Sequence, residues 1–243
     1  MRDYSYEYCR RLDYIAETVS RSGARGVVYG NSGGKDSALV GILCKAACDN
    51  TLGLIMPCGS RRNYITDAAD AMTVARRYGI ETRIVDLSPV RDRALDAIGC
   101  QCELNERSRI NLAPRLRMMT LYAFAAAEDR LVAGTGNRSE TFMGYFTKWG
   151  DGAHDFNPIS DLTVTEIYEF LKWLKAPAFL LEKAPSAGLF DSQTDEEEMG
   201  VSYASIDDYL LQGRADKREK EIMDRSHARS LHKLEPISTF EKP

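Results

Sequence analysis

Through the first twenty positions apolar residues recur at Tyr8, Leu12, Ile15, Ala16 and Val19, a spacing that lays them along one side of a helix ending at Ser22-Gly23. The pattern then changes to short apolar runs bounded by turn residues: Val27-Val28-Tyr29, Leu52-Gly53-Leu54-Ile55-Met56, Arg83-Ile84-Val85-Asp86-Leu87 and Leu131-Val132-Ala133. Longer stretches of helical period lie between them, near 37–48, 66–78 and 108–127. Short buried strands alternating with helices predict βαβ units and a parallel sheet covered on both faces, a single-domain three-layer α/β/α fold. Right-handed crossovers build such a sheet outward from its first strand until the order reverses. Ligand is expected at that reversal, above the carboxyl ends of the first strand and a later one.

Beyond residue 144 strand signals fade and loops dominate, with one further helix near 163–175. The acidic run Asp195-Glu-Glu-Glu198 suits the start of a helix, where the dipole favours negative charge. The charged stretch from Arg214 to Arg229 reads as a solvated helix. Composition excludes several classes. Among 243 residues, 32 Lys+Arg against 36 Asp+Glu leave a net charge of −4, so no basic field for a nucleic-acid backbone exists. The most apolar stretch, Leu121 to Ala127, is far shorter than the roughly 20 residues that span a bilayer. The polar, acidic opening residues do not resemble a targeting peptide, so a cytoplasmic location without membrane contact is expected. Cys9, Cys44, Cys48, Cys58, Cys100 and Cys102 form no CxxC pair. They are expected to be buried or half-buried free thiols.

Two loops carry the chemistry. Gly30-Asn-Ser-Gly-Gly-Lys-Asp-Ser37 follows the first strand directly and precedes a helix. Gly33 and Gly34 let backbone N–H groups approach an anion, the helix start adds partial positive charge, and Ser32 and Ser37 add hydroxyls. It is neither GxxxxGK[ST] nor GxGxxG. Asp36 would repel a phosphate unless a cation such as Mg²⁺ lay between them. Glu140, on the loop Gly134-Thr-Gly-Asn-Arg-Ser-Glu140 after the last strand, supplies a second acid. Two acids converging on a phosphate loop suggest a nucleotide whose phosphate bond is broken.

The loop Ser32-Gly-Gly-Lys-Asp-Ser37 resembles that of the ATP pyrophosphatases, which split ATP between its α- and β-phosphates. Further segments narrow the resemblance to the NAD⁺ synthetase family: Gly134 to Glu140, Gly144-Tyr-Phe-Thr-Lys-Trp-Gly-Asp-Gly152, Asp155-Phe-Asn-Pro158, Pro185-Ser-Ala-Gly-Leu189 and Gln193-Thr-Asp-Glu-Glu-Glu-Met-Gly200. It implies a Rossmann-like, adenine nucleotide alpha hydrolase-like fold. One domain then spans 1–243: an N-terminal helix over 1–25, the ATP pyrophosphatase core over 26–213 and a substrate-closing tail over 214–243. The implied reaction adenylates the nicotinate carboxylate of deamido-NAD⁺ with Mg²⁺ and ATP, then replaces AMP by ammonia. The resemblance assigns Gly30, Asn31, Ser32, Gly33, Gly34, Lys35, Asp36, Ser37, Thr135 and Ser186 to ATP. Asp36 and Glu140 fall to the metal, and Arg115, Lys148, Asp155, His232 and Lys233 to deamido-NAD⁺. Asp36, Glu140 and Lys148 are the catalytic candidates. A homodimer is also implied.

Three positions depart from the family pattern. Val164 stands where a lysine is common, and Lys35 or another nearby cation is expected to supply that missing charge. Pro114 replaces alanine in Pro114-Arg-Leu-Arg-Met118, acceptable within a first helical turn. The tail reads His232-Lys-Leu234 rather than His-Lys-Arg. About 25 residues before the first strand leave no room for a glutaminase, which would need on the order of 100, so free ammonia is the expected nitrogen source. Rival readings are another adenylating amidase or thiolase, and a nucleotide sensor without catalysis.

Overall fold

The computed structural model describes residues 2–59, 63–182 and 195–240. Four parallel strands, β1 (Gly26–Gly30), β2 (Thr51–Ile55), β3 (Glu81–Ile84) and β4 (Arg130–Ala133), lie in the order β3-β2-β1-β4. The reversal therefore falls between β1 and β4, which pair with Val28 opposite Val132. Helices α1 (Tyr4–Ser22), α2 (Lys35–Ala47), α3 (Ala68–Tyr78), α4 (Ser88–Gly99), α5 (Glu106–Ile110) and α6 (Leu112–Glu128) precede or connect the strands. After β4 come α7 (Arg138–Met143), α8 (Val164–Trp173), α9 (Phe179–Glu182), α10 (Asp195–Met199), α11 (Tyr203–Gln212) and α12 (Lys217–Leu234).

Strand alternation divides the interior. Val27 and Tyr29 of β1 pack with Ile15 of α1, Leu39 and Leu43 of α2, and Ile167 and Phe170 of α8. Val28, one residue out of phase, packs on the opposite face with Leu52, Leu54, Val132 and, from α6, Ala113 and Leu116. Successive strand side chains point to opposite faces, so one five-residue strand serves both cores. Third and smaller, a cluster of Met143, Val164, Val201, Tyr203, Ile206 and Met223 seats α7, α8, α11 and α12 together beyond the sheet.

Several elements differ from the sequence pattern, which does not reveal α7, α9 or α11 and misplaces or misses two more. β3 begins at Glu81 and ends at Ile84, earlier than the apolar run of 83–87 suggests. It is an edge strand with exposed ends, so its polar residues suffice; Val85 and Leu87 continue hydrogen bonding to Ile55 and Pro57 as the chain leaves the sheet. α4 has no fully buried residue and thus no strong apolar stripe, which is why periodicity does not reveal it. Pro114 sits in the first turn of α6, as its fixed φ requires. The cysteines are all free, but Cys9, Cys100 and Cys102 are exposed rather than buried. No helix among the described residues is long and apolar enough to cross a membrane.

Candidate active site

At the end of β1 the chain turns through Gly30–Gly34 into α2. Asn31 extends the sheet by one bond to the Leu54 carbonyl (2.8 Å), and its Nδ2 donates to the Ala71 carbonyl (3.2 Å), tying the loop to α3. Gly33 has φ +74°, and a Cβ there would lie 2.3 Å from the Asp67 carbonyl oxygen, so only glycine passes this close to the neighbouring turn. The Ser32 and Ser37 hydroxyls lie 3.0 Å apart, the Ser37 hydroxyl meets the Ser32 N–H at 3.3 Å, and the Ser32 hydroxyl accepts from Gly34 N–H at 3.3 Å. Gly34 caps α2 with no side-chain hydrogen bond, leaving the first turn's N–H groups suited to an anion.

The second loop is organised by Asn137, which is fully buried. Its Oδ1 accepts from the Glu140 N–H (2.9 Å), its own N–H donates to Glu140 Oε2 (3.2 Å), and its Nδ2 donates to Asp36 Oδ1 (3.1 Å). The first two bonds form a capping box that starts α7. The third joins the loops, and so brings Asp36 and Glu140 together. Asparagine followed three positions later by glutamate is the sequence signal for that box, but the bond to Asp36 is purely tertiary.

Lys35 turns inward. Its side chain is only 6% exposed, its Nζ donates to Asp36 Oδ2 at 2.8 Å, and the rings of Tyr168 and Tyr203 lie 5.9 and 5.7 Å from it. Burial works against its charge, yet Asp36 and then Glu140 more than offset this and hold the ammonium above its ordinary pKa. Burial first, then the charge of Asp36, lifts the Glu140 carboxyl well above the carboxylate range, against the pull of Lys35. Val164, where the lysine was missing, is buried in the apolar cluster of α7, α8, α11 and α12. Asp195 is buried as well and accepts from the Tyr203 hydroxyl (3.2 Å), while Glu198 accepts from that of Tyr145 (2.6 Å). The acidic run thus opens a helix as expected, with some of its acids bound to specific partners.

Behind the second loop, Asp207 of α11 accepts from the Ser139 hydroxyl (2.5 Å) and the Thr165 N–H (2.6 Å), joining α7 to the start of α8. Asp207 is 2% exposed. Asp207→Ala strands both donors, so unfolding in urea should show a loss of about 2–4 kcal/mol; an unchanged midpoint would contradict this role.

A second group forms around the last helix. Lys148 donates to the His232 carbonyl, and Lys233 donates to the carbonyls of Gly144 and Phe146, both at 2.7 Å. Lys148, His232 and Lys233 are therefore neighbours, with the tail seated on the loop that follows α7. Asp155 stands beside β4 on the side away from β1, where Phe156 bridges Ala133: its Oδ2 accepts from Val132 N–H (2.7 Å) and its Oδ1 from the Tyr122 hydroxyl (3.2 Å). Tyr122 belongs to α6, which also carries the exposed Arg115. On the same helix Arg117, to which the sequence assigns no role, donates from Nε to the Met56 carbonyl (3.1 Å) just after β2. Burial holds its guanidinium below the ordinary value. Thr135 is half-buried in the β4–α7 loop, and Ser186 lies outside the described residues.

No group of three or more His, Cys, Asp or Glu side chains able to hold a metal ion occurs among the described residues. The donors that converge are the oxygens of Asp36 and Glu140. Two carboxylates beside an anion loop fit a hard cation that completes its shell with water and phosphate oxygens, as Mg²⁺ does.

Residues 7–240 match the family model described as NAD synthase. An NH3-dependent NAD⁺ synthetase of Carboxydothermus hydrogenoformans is 41% identical over 225 residues, covering 91% of each chain. Among solved structures, the NMN synthetase of Francisella tularensis superposes with a TM-score of 0.93 at 34% identity and full coverage of both chains. The NH3-dependent NAD synthetase of Campylobacter jejuni does so with a TM-score of 0.81 at 30% identity, covering 99% of this chain and 100% of its own.

Proposed function

The chain belongs to the NAD synthase family, and from that premise we propose how its residues divide the work. The reaction is the ATP-dependent amidation of deamido-NAD⁺ with ammonia. A carboxylate resists attack by ammonia because its oxygen leaves poorly. Transfer of AMP to that oxygen turns it into a good leaving group. In our reading the nicotinate carboxylate attacks the α-phosphorus, pyrophosphate departs, and ammonia then displaces AMP from the activated carbonyl.

One observation carries the assignment: the acids in the first turns of α2 and α7, the helices that follow the adjacent strands β1 and β4, meet over the glycine loop through Asn137. Asp36 and Glu140 would hold Mg²⁺, which when bound offsets negative charge on the phosphates. The N–H groups of Gly30–Ser37, the Ser32 and Ser37 hydroxyls, Lys35, Thr135 and Ser186 bind the triphosphate. Arg115, Lys148, Asp155, His232 and Lys233 bind deamido-NAD⁺, with Lys148 orienting the carboxylate. Alignment of two anions supplies much of the acceleration, because the reacting oxygen and phosphorus meet without a further loss of entropy. A homodimer and a cytoplasmic location complete the proposal. The exposed Val90 and Ile98 of α4 and Met119 of α6 support the former.

Release of pyrophosphate from ATP tests the reading. Sustained release should require both deamido-NAD⁺ and ammonium, because without ammonium the adenylate of the first turnover is not consumed, and glutamine should not replace ammonium. Release without acceptor, or equal rates with glutamine, would overturn it. A second reading, that a mononucleotide acceptor is also amidated, is favoured by the better superposition on the NMN synthetase than on the NAD synthetase. Nicotinic acid mononucleotide in the same assay decides it: no amide product removes the mononucleotide reading alone.

A further inference from the structure

A cation at the first position of a helix opposes the helix dipole, and burying it adds the cost of lost hydration. Lys35 does both at the start of α2. Its direct ionic partner is Asp36, whose other oxygen is bonded to Asn137. The two tyrosine faces beside Nζ are weak acceptors for a cation and shield it from water. The converse holds for the acids. With Glu140 close by, Asp36 would face a second carboxylate with no compensating charge were Lys35 absent. The ammonium and the acid pair therefore hold one another in place, in the position where a divalent cation would be needed.

We propose that Lys35 is the resident counter-ion of the Asp36–Glu140 pair: its ammonium balances the acids while the nucleotide is absent and transfers to the triphosphate when it enters, so that Mg²⁺ is taken up together with nucleotide rather than ahead of it. This rests on the assignment of the two acids to the metal. Without nucleotide, a dication must compete with the ammonium for Asp36 Oδ2 while the Lys35 charge stays nearby. A triphosphate removes that competition, because its oxygens accept the lysine and add ligands for the metal. The flexible four-carbon stem of lysine allows the short swing that this exchange needs. The outcome is positive coupling between metal and nucleotide, equal in both directions.

Calorimetric titration of Mg²⁺ into the metal-free protein, with and without α,β-methylene ATP, measures that coupling directly and requires no turnover. In the wild-type protein the analogue should tighten Mg²⁺ binding by at least about thirtyfold. Lys35→Met should bind Mg²⁺ without nucleotide at least about tenfold more tightly than wild type, and the analogue should then tighten it much less. Lys35→Arg keeps the charge and should behave as wild type. Melting temperature supplies a second readout: Lys35→Met should melt lower without metal and gain more from added Mg²⁺ than wild type does. If Lys35→Met binds Mg²⁺ no more tightly than wild type without nucleotide, the counter-ion role is wrong. Asp36→Asn separates that failure from a wrong metal site: it should abolish Mg²⁺ binding with the analogue present, and its retention would instead overturn the assignment of the acids.

Discussion

Asp36→Asn and Glu140→Gln should each lower pyrophosphate release by about a hundred- to a thousand-fold while leaving the fold intact. Either amide keeps the size and one acceptor oxygen of the acid it replaces. In Glu140→Gln that oxygen still accepts from the Asn137 N–H, so the capping box survives. In Asp36→Asn it still accepts from the Asn137 side chain, while Lys35 loses its ionic partner, so this variant should fold but melt at a lower temperature. What disappears is one negative charge facing the metal and phosphates, and with it much of the charge balance around the transferring phosphoryl group. Circular dichroism and thermal melting should show a folded protein in both variants. Release at the wild-type rate from either one would remove the acid pair from the mechanism.

Gly144→Ala should detach the last helix and weaken acceptor binding more than ATP binding. Gly144 ends α7 with φ +65°, and a Cβ there would lie 2.0 Å from Cβ of Ser230 on α12. Backbone strain of about 1 kcal/mol and overpacking of about 1–3 kcal/mol act at one point. Relief requires α12 to move away from α7. The stacked pair of Phe142 and His227, with centroids 4.5 Å apart, is then lost, as are the bonds that hold Lys148, His232 and Lys233 together. The KM for deamido-NAD⁺ should rise about tenfold or more, a loss of roughly 1.4 kcal/mol of binding, with that for ATP nearly unchanged. Trypsin should cut more readily within 214–220. Adding Ser230→Gly removes the collision but keeps the strain, so it should restore part of the affinity. An unchanged KM in Gly144→Ala would mean that the docked tail does not shape the acceptor site.

Much of this arrangement is legible in the sequence. Val27-Val28-Tyr29 and Leu131-Val132-Ala133 marked central strands because both faces of each are covered, and the loops after them had to share the sheet's carboxyl end. Periodicity failed where burial is one-sided or weak, at the edge strand β3 and at α4. The two strand ends put Asp36 and Glu140 on neighbouring loops, but the sequence does not show that Asn137 lies between them, since its bond to Asp36 links residues 101 apart in the chain. Arg117 escapes the sequence for a similar reason: a half-buried arginine and an exposed one, such as Arg115 two positions earlier, look alike there. The acids of the 195–198 run read in the sequence as helix-start charges, and their bonds to tyrosines depend on how α10 packs. Lys35 was expected to face phosphate, and its turn toward Asp36 arises from the enclosure formed by Tyr168 and Tyr203.

The pairing of β1 with β4 has a consequence for divergence. Because those two strands are hydrogen-bonded neighbours, the long excursion through β2 and β3 hangs to one side of the reacting centre. Lineages can lengthen, trim or rewrite the outer part of that flank, as the exposed α4 already invites, whereas α3 and α6 reach the site through Asn31 and Tyr122. A deletion of one residue inside Gly26–Gly30 or Arg130–Ala133 has no such latitude, for it would shift one acid along the other by a full rung of the ladder.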